Sequence, residues 1–444
     1  MAWRFRYRPQ PTNPTTPTSP PPPPPASPPP PPASPPAGPI VVTPASGASA
    51  NEQLMLELVN RARLDPAGEA ARFGIGLNDG TSGITATPKQ PLAMNDLLIK
   101  AARAHSQYMI DTDQFQHSGI GDGDPQSRMT AAGYQFTGSW TWGENIAWQG
   151  TTGTANLTQF IIDEHKSLFL SAGHRQNILN DNFREAGIGQ IGGVFTSGRA
   201  YNASMVTQEF AKSGTKVFLL GVAYNDTNGD KFYSVGEARS GVHVTLTPVG
   251  SGTGGSTDTA SAGGYQVGVN AGTYNVTFSG GGLPSSMTVQ ATLAQNLKLD
   301  VVNGDTIMTS GSLTFGAGAK NAGALGIADI SLTGNELANT LTGNSGANTL
   351  AGKQGADVLA GLGGDDTFIF AKGDGSDRVI DFTAGGSIDE IRILGFAGIT
   401  SFASLISHAT DFGTYTDIDL GGGDHLRLDN VKVASLAASD FLFV

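Results

Sequence analysis

The stretches that decide the fold are Phe115–Ser118 (FQHS), Trp142–Ala147 (WGENIA) and Gly173–Leu179 (GHRQNIL). Each places one side chain capable of acid/base chemistry or metal binding, His117, Glu144 or His174, beside small or aromatic residues. A partly buried polar cleft needs this combination, because a charged group held there is incompletely solvated. On residue type alone, two core histidines and a helix-capping glutamate explain the same stretches.

These stretches and the sequence around them resemble the CAP superfamily (cysteine-rich secretory, antigen 5 and pathogenesis-related 1 proteins), in particular its cysteine-free bacterial branch. The resemblance begins at Leu58–Arg63 and ends at Met205–Ala211, with the short motifs in the correct order. It implies an α-β-α sandwich in which two histidines and two acidic residues line one cleft. It also implies that His117 and His174 can hold a divalent metal such as zinc, with Glu144 as one of the acidic residues.

Glu164 is the candidate for the second acidic residue of the cleft, because it lies on a predicted helix just before His174. The family usually has a tryptophan one turn before this glutamate, and Ile161 stands there instead. A solvated helix face carrying Asp163, Glu164 and His165 explains the same residues. Two protein ligands are few for zinc, so binding is expected to be weak and lost as the histidines protonate.

Apolar spacing predicts the helices that would carry this cleft. One begins near Asn51 and stops at Asp65, and a second begins at an N-cap, Asn95, and buries His105 as a packed core histidine. A third helix covers about 155–170. Alternating residues then predict strands over 185–192 and 203–210, which together give helices packed on a short antiparallel sheet.

Composition limits the partners and the cellular compartment. The net charge is -12, and the region from Gly334 onward has 15 acidic against 6 basic residues, which argues against nucleic-acid binding. Cysteine is absent, so disulfides and thiolate metal sites are excluded. Prolines follow the basic N-terminus at once, so a cleaved Sec signal peptide is not expected. We also expect no membrane span, since no run of 18 apolar residues occurs.

Composition shifts divide the chain into six parts. Residues 9–44 are mostly Pro with Ser, Thr and Ala, which predicts an extended spacer, with a ligand for a proline-binding domain as the alternative. The predicted parts are a disordered Pro-rich linker at 1–50, a CAP domain at 51–213, a β-sandwich with a calcium loop at 215–302, a connecting segment at 303–333, a nonapeptide β-roll at 334–380 and a β-rich C-terminal cap at 381–444.

Short alternating runs rich in Val, Thr and Tyr predict the β-sandwich. Its first turn contains Asp226, Asn228, Asp230 and Glu237, which is the ligand spacing of a twelve-residue calcium loop. Lys231 occupies the position where an EF-hand has glycine, and no helices flank the loop. The region resembles the immunoglobulin-like, calcium-binding B-type repeats of bacterial surface proteins. A polar hairpin turn is the alternative.

Four consecutive nine-residue units begin at Gly334, and a fifth follows after two inserted residues. They match the RTX nonapeptide, a parallel β-roll that binds Ca²⁺ through backbone carbonyls and the side chain of the sixth residue, while the eighth residue fills the core. The first two units have Asn339 and Asn348 at the sixth position. The predicted calcium ligands are Asp357, Asp365, Asp366 and Asp377. About two or three ions are expected, with a largely unfolded roll in their absence.

The C-terminal residues, Asp440–Val444 (DFLFV), resemble the uncleaved secretion signal of type I (ABC transporter) substrates. This tail, the RTX units and the absent signal peptide predict direct export from a Gram-negative cytoplasm, with the type I secretion apparatus as a partner and folding driven by extracellular calcium.

Three functions are compatible with the sequence. We favour a secreted protein whose CAP domain binds an unknown extracellular ligand, either small and apolar or peptide-like. A metal-dependent extracellular hydrolase or protease using the same cleft is the second, although no H-E-x-x-H or G-x-S-x-G motif occurs. A calcium-dependent adhesin or matrix protein is the third. No catalytic residue is assigned, and enzymatic activity is left open.

Overall fold

A computed structural model describes residues 47–386 and 388–444. The predicted linker at 1–50 therefore lies almost wholly outside the described residues. The basic N-terminus, where no signal peptide was expected, also lies outside them. No helix among the described residues is long and apolar enough to cross a membrane.

The first half of the described chain combines six helices with a four-stranded sheet. The helices are α1 Ala50–Leu64, α2 Pro66–Arg72, α3 Asp96–Thr112, α4 Pro125–Ala132, α5 Leu157–Leu170 and α6 Ala172–Ile178. The strands are β1 Ala93–Met94, β2 Thr141–Thr151, β3 Glu185–Ser197 and β4 Arg199–Lys212. Their order is β1-β3-β4-β2, with β1 parallel to β3 and the other neighbours antiparallel.

Side-chain caps explain where the helices begin. Ser49 and Glu52 form a capping box at α1, Asp65 caps α2 and Asn95 caps α3 through its side-chain oxygen. Asn156 caps α5 in the same way, which satisfies amides that the first helical turn leaves free. The predicted helix boundaries at Asp65 and Asn95 are confirmed.

Helices cover both faces of the sheet. Alternation along β4 divides its side chains between the faces: Met205 packs with α3, whereas Val206 and Phe210 pack with α1 and α5. The predicted three-layer arrangement of helices, sheet and helices is therefore present.

Two glycines of β3 allow α3 to lie directly on the sheet. A methyl group at Gly187 would approach the Leu98 carbonyl carbon within 2.1 Å, and one at Gly189 would approach the Arg103 amide nitrogen within 2.2 Å. Because the obstructing atoms are backbone, a rotamer change cannot relieve the overlap.

Gly189→Ala is expected to force α3 away from the sheet and to cost about 1–3 kcal/mol of unfolding free energy. Urea denaturation followed by tryptophan fluorescence measures this, since Trp140, Trp142 and Trp148 lie in this region. Gly173→Ala is the matched control, because a methyl group at this helical glycine meets nothing within 4 Å. Equal unfolding midpoints for the two variants would contradict the expected overlap.

The second half of the described chain is almost entirely β-structure. Its strands are β5 Val217–Tyr224, β6 Val242–Pro248, β7 Gly255–Asp258, β8 Gly264–Val269, β9 Gly272–Gly280, β10 Met287–Leu293, β11 Leu297–Val302, β12 Thr306–Thr309, β13 Leu313–Phe315, β14 Asn321–Ala324, β15 Ser331–Thr333, β16 Thr340–Thr342, β17 Thr349–Ala351, β18 Val358–Ala360, β19 Thr367–Ala371, β20 Ser376–Val379, β21 Glu390–Leu394, β22 Ala409–Asp411, β23 Tyr415–Gly421, β24 Asp424–Asp429 and β25 Phe441–Phe443. A short helix, α7 Phe402–Ile406, and two 3₁₀ turns, Val433–Ser435 and Ala438–Asp440, complete it.

Two long sheets run through this whole region. One has the order β7-β6-β9-β10-β13-β15-β17-β19-β21-β25, and the other β8-β5-β11-β12-β14-β16-β18-β20-β24-β23-β22. From β12 to β21, successive strands alternate between the two sheets. From β14 to β21, each strand pairs in parallel with the strand two places earlier, which is the geometry of a β-roll. The eighth residues of the predicted units fill the space between the sheets, and each is fully buried: Leu341, Leu350, Leu359, Phe368 and Val379.

The sandwich and the roll are thus not separated in the way that the sequence suggested. The segment predicted as a connection, 303–333, holds β12 to β15, and these strands join the sandwich sheets to the roll sheets. One hydrophobic core extends from Val217 to Phe441. The immunoglobulin-like classification of 215–302 is not confirmed, since its strands belong to sheets that continue into the roll.

Buried polar contacts join the sandwich to the helical region, and the described residues belong to a single compact unit. Nζ of Lys298 on β11 lies 2.9 Å from Oε2 of Glu57 on α1. Asn296 donates from Nδ2 to the carbonyls of Pro91 at 2.9 Å and Arg184 at 2.7 Å.

Candidate functional site

His117 and Glu144 form a hydrogen-bonded pair at the surface of the helical region. Nδ1 of His117 donates to Oε1 of Glu144 over 2.6 Å. The His117 side chain is 52% exposed, while that of Glu144 is 2% exposed. A buried carboxylate thus holds an exposed imidazole in one orientation, and the second ring nitrogen is left to face a ligand.

Strand register places another acid beside Glu144. Glu144 on the edge strand β2 is the antiparallel partner of Glu209 on β4, so both side chains point to the face that α3 covers. Arg128 on α4 pairs with Glu144 and lies 3.8 Å from Oε1 of Glu209. It also donates to Asp122 over 3.0 Å.

His105 completes this buried cluster. Its Nδ1 donates to Asp122 over 2.7 Å, and its Nε2 lies 3.9 Å from Oε2 of Glu144. Burial lowers the pKa of His105, whereas burial and the neighbouring Glu144 raise the pKa of Glu209 well above its ordinary value. Burial thus disfavours the charged forms of His105 and Glu209, and Arg128 is the cation that faces Glu144 and Asp122.

His174 lies near His117 at the start of α6. Burial lowers its pKa, and the charge on His117 lowers it further, so the ring is held neutral. Its Nδ1 is buried and has no hydrogen-bond partner within the described ranges, 47–386 and 388–444. Asn145 donates to the His174 carbonyl over 3.2 Å, and Asn177 donates to the Glu144 carbonyl over 3.1 Å, which fixes α6 against β2.

The structure does not bring Glu164 to this cluster. Glu164 on α5 accepts a hydrogen bond from Ser204 over 3.1 Å and is fully buried. Ser204 and Glu209 differ by an odd number of positions along β4, so they face opposite sides of the sheet. The acid beside Glu144 is therefore Glu209 rather than the predicted Glu164.

The zinc prediction gains no support from this geometry. Within the described ranges, no group of three His, Asp or Glu side chains is arranged to hold a metal ion. His117 and His174 supply at most two ligands, and Glu144 already accepts from His117 and Arg128.

Sequence reasoning missed three members of the cluster, namely Asp122, Arg128 and Glu209, and it missed the contact of His105 with Asp122. His105 was assigned to the core, which is correct as to burial. Glu209 could have been found, because pairing the strand that contains Glu144 with the strand ending at Phe210 puts the two acids side by side. Arg128 gave no comparable signal, since its position depends on where the helix α4 packs against the sheet.

A polar cavity of about 490 Å³ lies beside α6. Its lining is rich in amides and hydroxyls, and it includes Lys89, Gln176, Asn177, Asn180, Asn182, Ser82 and Thr85. Lys89 is 5% exposed and contacts Asp181, with Nζ and Oδ2 3.4 Å apart. α6 therefore carries His174 and two of the cavity-lining amides, Gln176 and Asn177.

The predicted calcium loop lies between β5 and β6. Asp226 accepts from the amides of Gly229, Asp230 and Lys231 at 2.9, 3.1 and 3.0 Å. Glu237 accepts from the Thr227 amide at 2.9 Å. The loop's own amides thus satisfy its carboxylates, and Lys231 adopts a left-handed φ of 58°. Calcium at Asp226, Asn228, Asp230 and Glu237 stays a prediction.

The roll brings its aspartates into two stacks of turns. Asp357 and Asp377 belong to one stack, where Oδ1 of Asp377 accepts from the Asp357 amide at 3.0 Å. Asp366 lies in the other stack and accepts from Asn348 at 2.8 Å. Asp357, Asp366 and Asp377 are at most 5% exposed, whereas Asp365 points to solvent.

These turns fit calcium. Oδ2 of Asp357 is buried and has no hydrogen-bond partner among the residues that the structure describes. Backbone carbonyls crowd the turn glycines: a methyl group at Gly364 would meet the Gly346 oxygen at 2.4 Å, and one at Gly375 would meet the Gly355 oxygen at 2.3 Å. Carbonyl oxygens beside an unpaired carboxylate are the ligands that calcium prefers.

Metal-free turns are expected to be more stable in mild acid than in base. Burial raises the pKa of Asp357 and of Asp366 from 3.8 to about 6, and that of Asp377 to about 8. The folded turns therefore bind more protons than the unfolded chain, so their stability falls as pH rises from about 4 to about 8. Hydrogen exchange of peptides within 352–389 in calcium-free buffer should be slower at about pH 5 than at about pH 8, after correction for intrinsic rates. Corrected exchange that slows as pH rises would contradict this.

Comparison with known proteins identifies two families within the chain. Residues 56–193 match the model of the cysteine-rich secretory protein family, CAP. Residues 333–368 and 342–379 match the RTX calcium-binding nonapeptide repeat. The chain thus contains a CAP domain followed by RTX repeats, as the sequence predicted.

The curated relatives match only part of their own length. An uncharacterized protein of Bacillus subtilis (strain 168), YkwD, is 36% identical over 109 residues, which are 24% of this chain and 38% of the relative. The endo-1,3-1,4-beta-glycanase EglC of Rhizobium meliloti (strain 1021) is 36% identical over 75 residues, which are 17% of this chain and 15% of the relative.

Two solved structures are similar to parts of the chain. An extracellular protein containing an SCP domain from Bacillus anthracis str. Ames has 22% identity and a TM-score of 0.25, covering 37% of this chain and 40% of its own. Extracellular lipase LipA from Serratia marcescens has 18% identity and a TM-score of 0.23, covering 46% of this chain and 31% of its own.

Proposed function

We propose that this is a secreted calcium-binding protein whose CAP domain captures a peptide-like ligand. The observation that carries the proposal is the exposed His117, held in one orientation by the buried Glu144. Arg128 in turn pairs with Glu144, so the imidazole is oriented before any ligand arrives. A preorganised polar group at a surface lowers the entropic cost of binding.

The cavity beside α6 favours a peptide-like ligand over an apolar one. Its size lies in the usual range for ligand sites, about 300–1,000 Å³. The amides of Gln176 and Asn182 and the hydroxyl of Thr85 already bond to Thr81, Asn180 and Lys89. Their remaining donors and acceptors suit a peptide backbone better than an apolar ligand.

Calcium and export form the second part of the proposal. Ca²⁺ would be held by Asp357, Asp366 and Asp377 in the roll, and by the loop Asp226–Glu237 of a B-type-repeat-like, immunoglobulin-like module at 215–302. When bound, calcium supplies positive charge that offsets the repulsion among these carboxylates. In the folded chain Asp440 is fully buried and Phe441–Phe443 pair with β21. A type I exporter that reads this tail would therefore act on the unfolded chain, before extracellular calcium folds it.

Binding of fluorescein-labelled mixed-sequence decapeptides, followed by fluorescence anisotropy, tests the ligand proposal, with fluorescent dodecanoic acid as the apolar probe. Peptide binding should weaken about 10-fold or more in His117→Ala, because a charge-assisted hydrogen bond is lost. His243→Ala is the matched control, since His243 is 48% exposed and is also paired with an acid, Asp258.

The same experiment separates the alternatives. No saturable peptide binding, or equal affinity in both histidine variants, would contradict the proposal. Peptide cleavage that His174→Ala abolishes would point to a hydrolase instead. Calcium-dependent attachment to cell surfaces that does not require His117 would point to an adhesin.

A further inference from the structure

The first turn of one stack is closed by an amide side chain that spans two turns. Nδ2 of Asn335 donates to the carbonyls of Gly316 at 2.7 Å and Ala319 at 2.9 Å. Its Oδ1 accepts from the Leu337 amide at 2.9 Å and from Nδ2 of Asn339 at 3.2 Å. Asn335 is 8% exposed, so these bonds form inside the turn rather than at the surface.

The other stack repeats this arrangement nine residues later. Nδ2 of Asn344 donates to the carbonyls of Ala328 at 3.0 Å and Leu325 at 3.4 Å. Its Oδ1 accepts from the Gly346 amide at 2.7 Å and from Nδ2 of Asn348 at 3.1 Å. In both stacks, the side-chain amide donates to carbonyl oxygens of the preceding turn.

The next turns of each stack lack this closure. The residues equivalent to Asn335 and Asn344 are Lys353 and Leu362, which adopt left-handed φ angles of 71° and 72° and point outward. Neither side chain reaches into its turn, and Oδ2 of Asp357 is left buried without a partner. An N–H donor satisfies a carbonyl that would otherwise need a cation, so the first turns fit an amide and the later turns fit calcium.

We propose that Asn335 and Asn344 take the place of calcium in the first turn of each stack, so that residues 306–351 stay folded without the ion and template the calcium-dependent turns at 352–389. The template half of this inference rests on the proposed calcium binding at Asp357, Asp366 and Asp377. The amide half rests on the contacts of the two asparagines alone.

The sheet connections agree with a template. β12 pairs with β11 of the sandwich, and β13 pairs with β10, so both sheets of the roll begin on strands that lie outside the proposed calcium turns at 352–389. A roll strand alone exposes an unpaired edge, whereas a strand laid on an existing sheet gains its hydrogen bonds at once. Each later turn therefore costs only the entropy of closing one short loop, because it adds to an existing sheet and does not have to nucleate a new one.

Hydrogen exchange of the full chain, with calcium removed and with calcium restored, tests the inference. Without calcium, peptides within 306–351 should exchange about 100-fold more slowly than peptides within 352–389, and adding calcium should protect the latter. Equal, rapid exchange of both segments without calcium would overturn the inference. If 306–351 is protected and 352–389 ignores calcium, the amide assignment stands and the calcium proposal fails.

Asn344→Asp supplies a second test of the amide's role. The substitution lies in the roll, so the sandwich strands are unchanged. The variant replaces the amide hydrogens with a carboxylate aimed at carbonyl oxygens, so calcium-free exchange around 340–351 should accelerate about 10-fold or more. Ser345→Asp is the matched control, because it adds the same charge in the same turn at an exposed position. Equal exchange in the two variants would overturn the role of the amide.

Discussion

Saturating calcium is expected to raise the unfolding free energy of the full chain by about 2.7 kcal/mol for each ion, when its free concentration is 100 times Kd. The physical reason is the state of Asp357, Asp366 and Asp377, which folding buries and brings close to other carboxylates. On the proposed assignment, calcium binds the folded turns in preference to the unfolded chain, so its binding energy should add to stability. Urea denaturation followed by far-ultraviolet circular dichroism, with and without calcium, measures the increase.

Two substitutions identify the ligands within this effect. Asp377→Asn should reduce the calcium-induced increase in unfolding free energy by roughly the contribution of one ion. The reason is that an amide oxygen is a weaker calcium ligand than a carboxylate. Asp365→Asn should remove far less, since Asp365 points to solvent. An unfolding midpoint that calcium leaves unchanged in the unsubstituted chain would contradict the assignment of the roll as a calcium site.

Arg128→Ala is expected to cost about 3–5 kcal/mol of unfolding free energy in the CAP domain. The substitution leaves Glu144 and Asp122 buried without their common cation. The Arg128 side chain is only 4% exposed, so solvent does not screen these ion pairs. His105 cannot replace it, because burial lowers the pKa of that ring. Tryptophan fluorescence in urea measures the loss.

Arg72→Ala is the matched control for this substitution. Arg72 lies in the same domain and also pairs with a buried acid, Glu69, at 3.3 Å, but its side chain is 56% exposed. An exposed ion pair contributes about 0–1 kcal/mol. If both arginine variants unfold at the same urea concentration, the buried cluster does not hold the cleft together.

Local sequence patterns predicted the elements and the families well. Each successful prediction depends on residues close together in the chain. Examples are the helix end at Asp65, the N-cap at Asn95, the motif around Glu144 and the nonapeptide period. The buried eighth residues, from Leu341 to Val379, also follow from a period that repeats without interruption. Such signals need no knowledge of distant contacts.

Contacts between distant segments were the part that the sequence did not reveal. Glu164 was predicted as the second acid because it lies on the helix just before His174, yet it lies on the opposite side of the sheet from Glu144. The strands within 303–333 are short and contain small residues, so nothing local marked them as sheet. The closure by Asn335 was equally hidden, because its partners Gly316 and Ala319 lie in the preceding turn of the stack.

The most direct test of the central claim is the number of calcium ions that the full chain binds, counted by equilibrium dialysis at about millimolar free calcium. The nonapeptide sequence predicts about two or three ions in the roll, and these should be lost when Asp357, Asp366 and Asp377 are all replaced by Asn. Any ion at the loop Asp226–Glu237 would be counted in addition and would remain in that variant. Binding that persists in the triple variant at the same number of ions, or no binding at all in the unsubstituted chain, would contradict it.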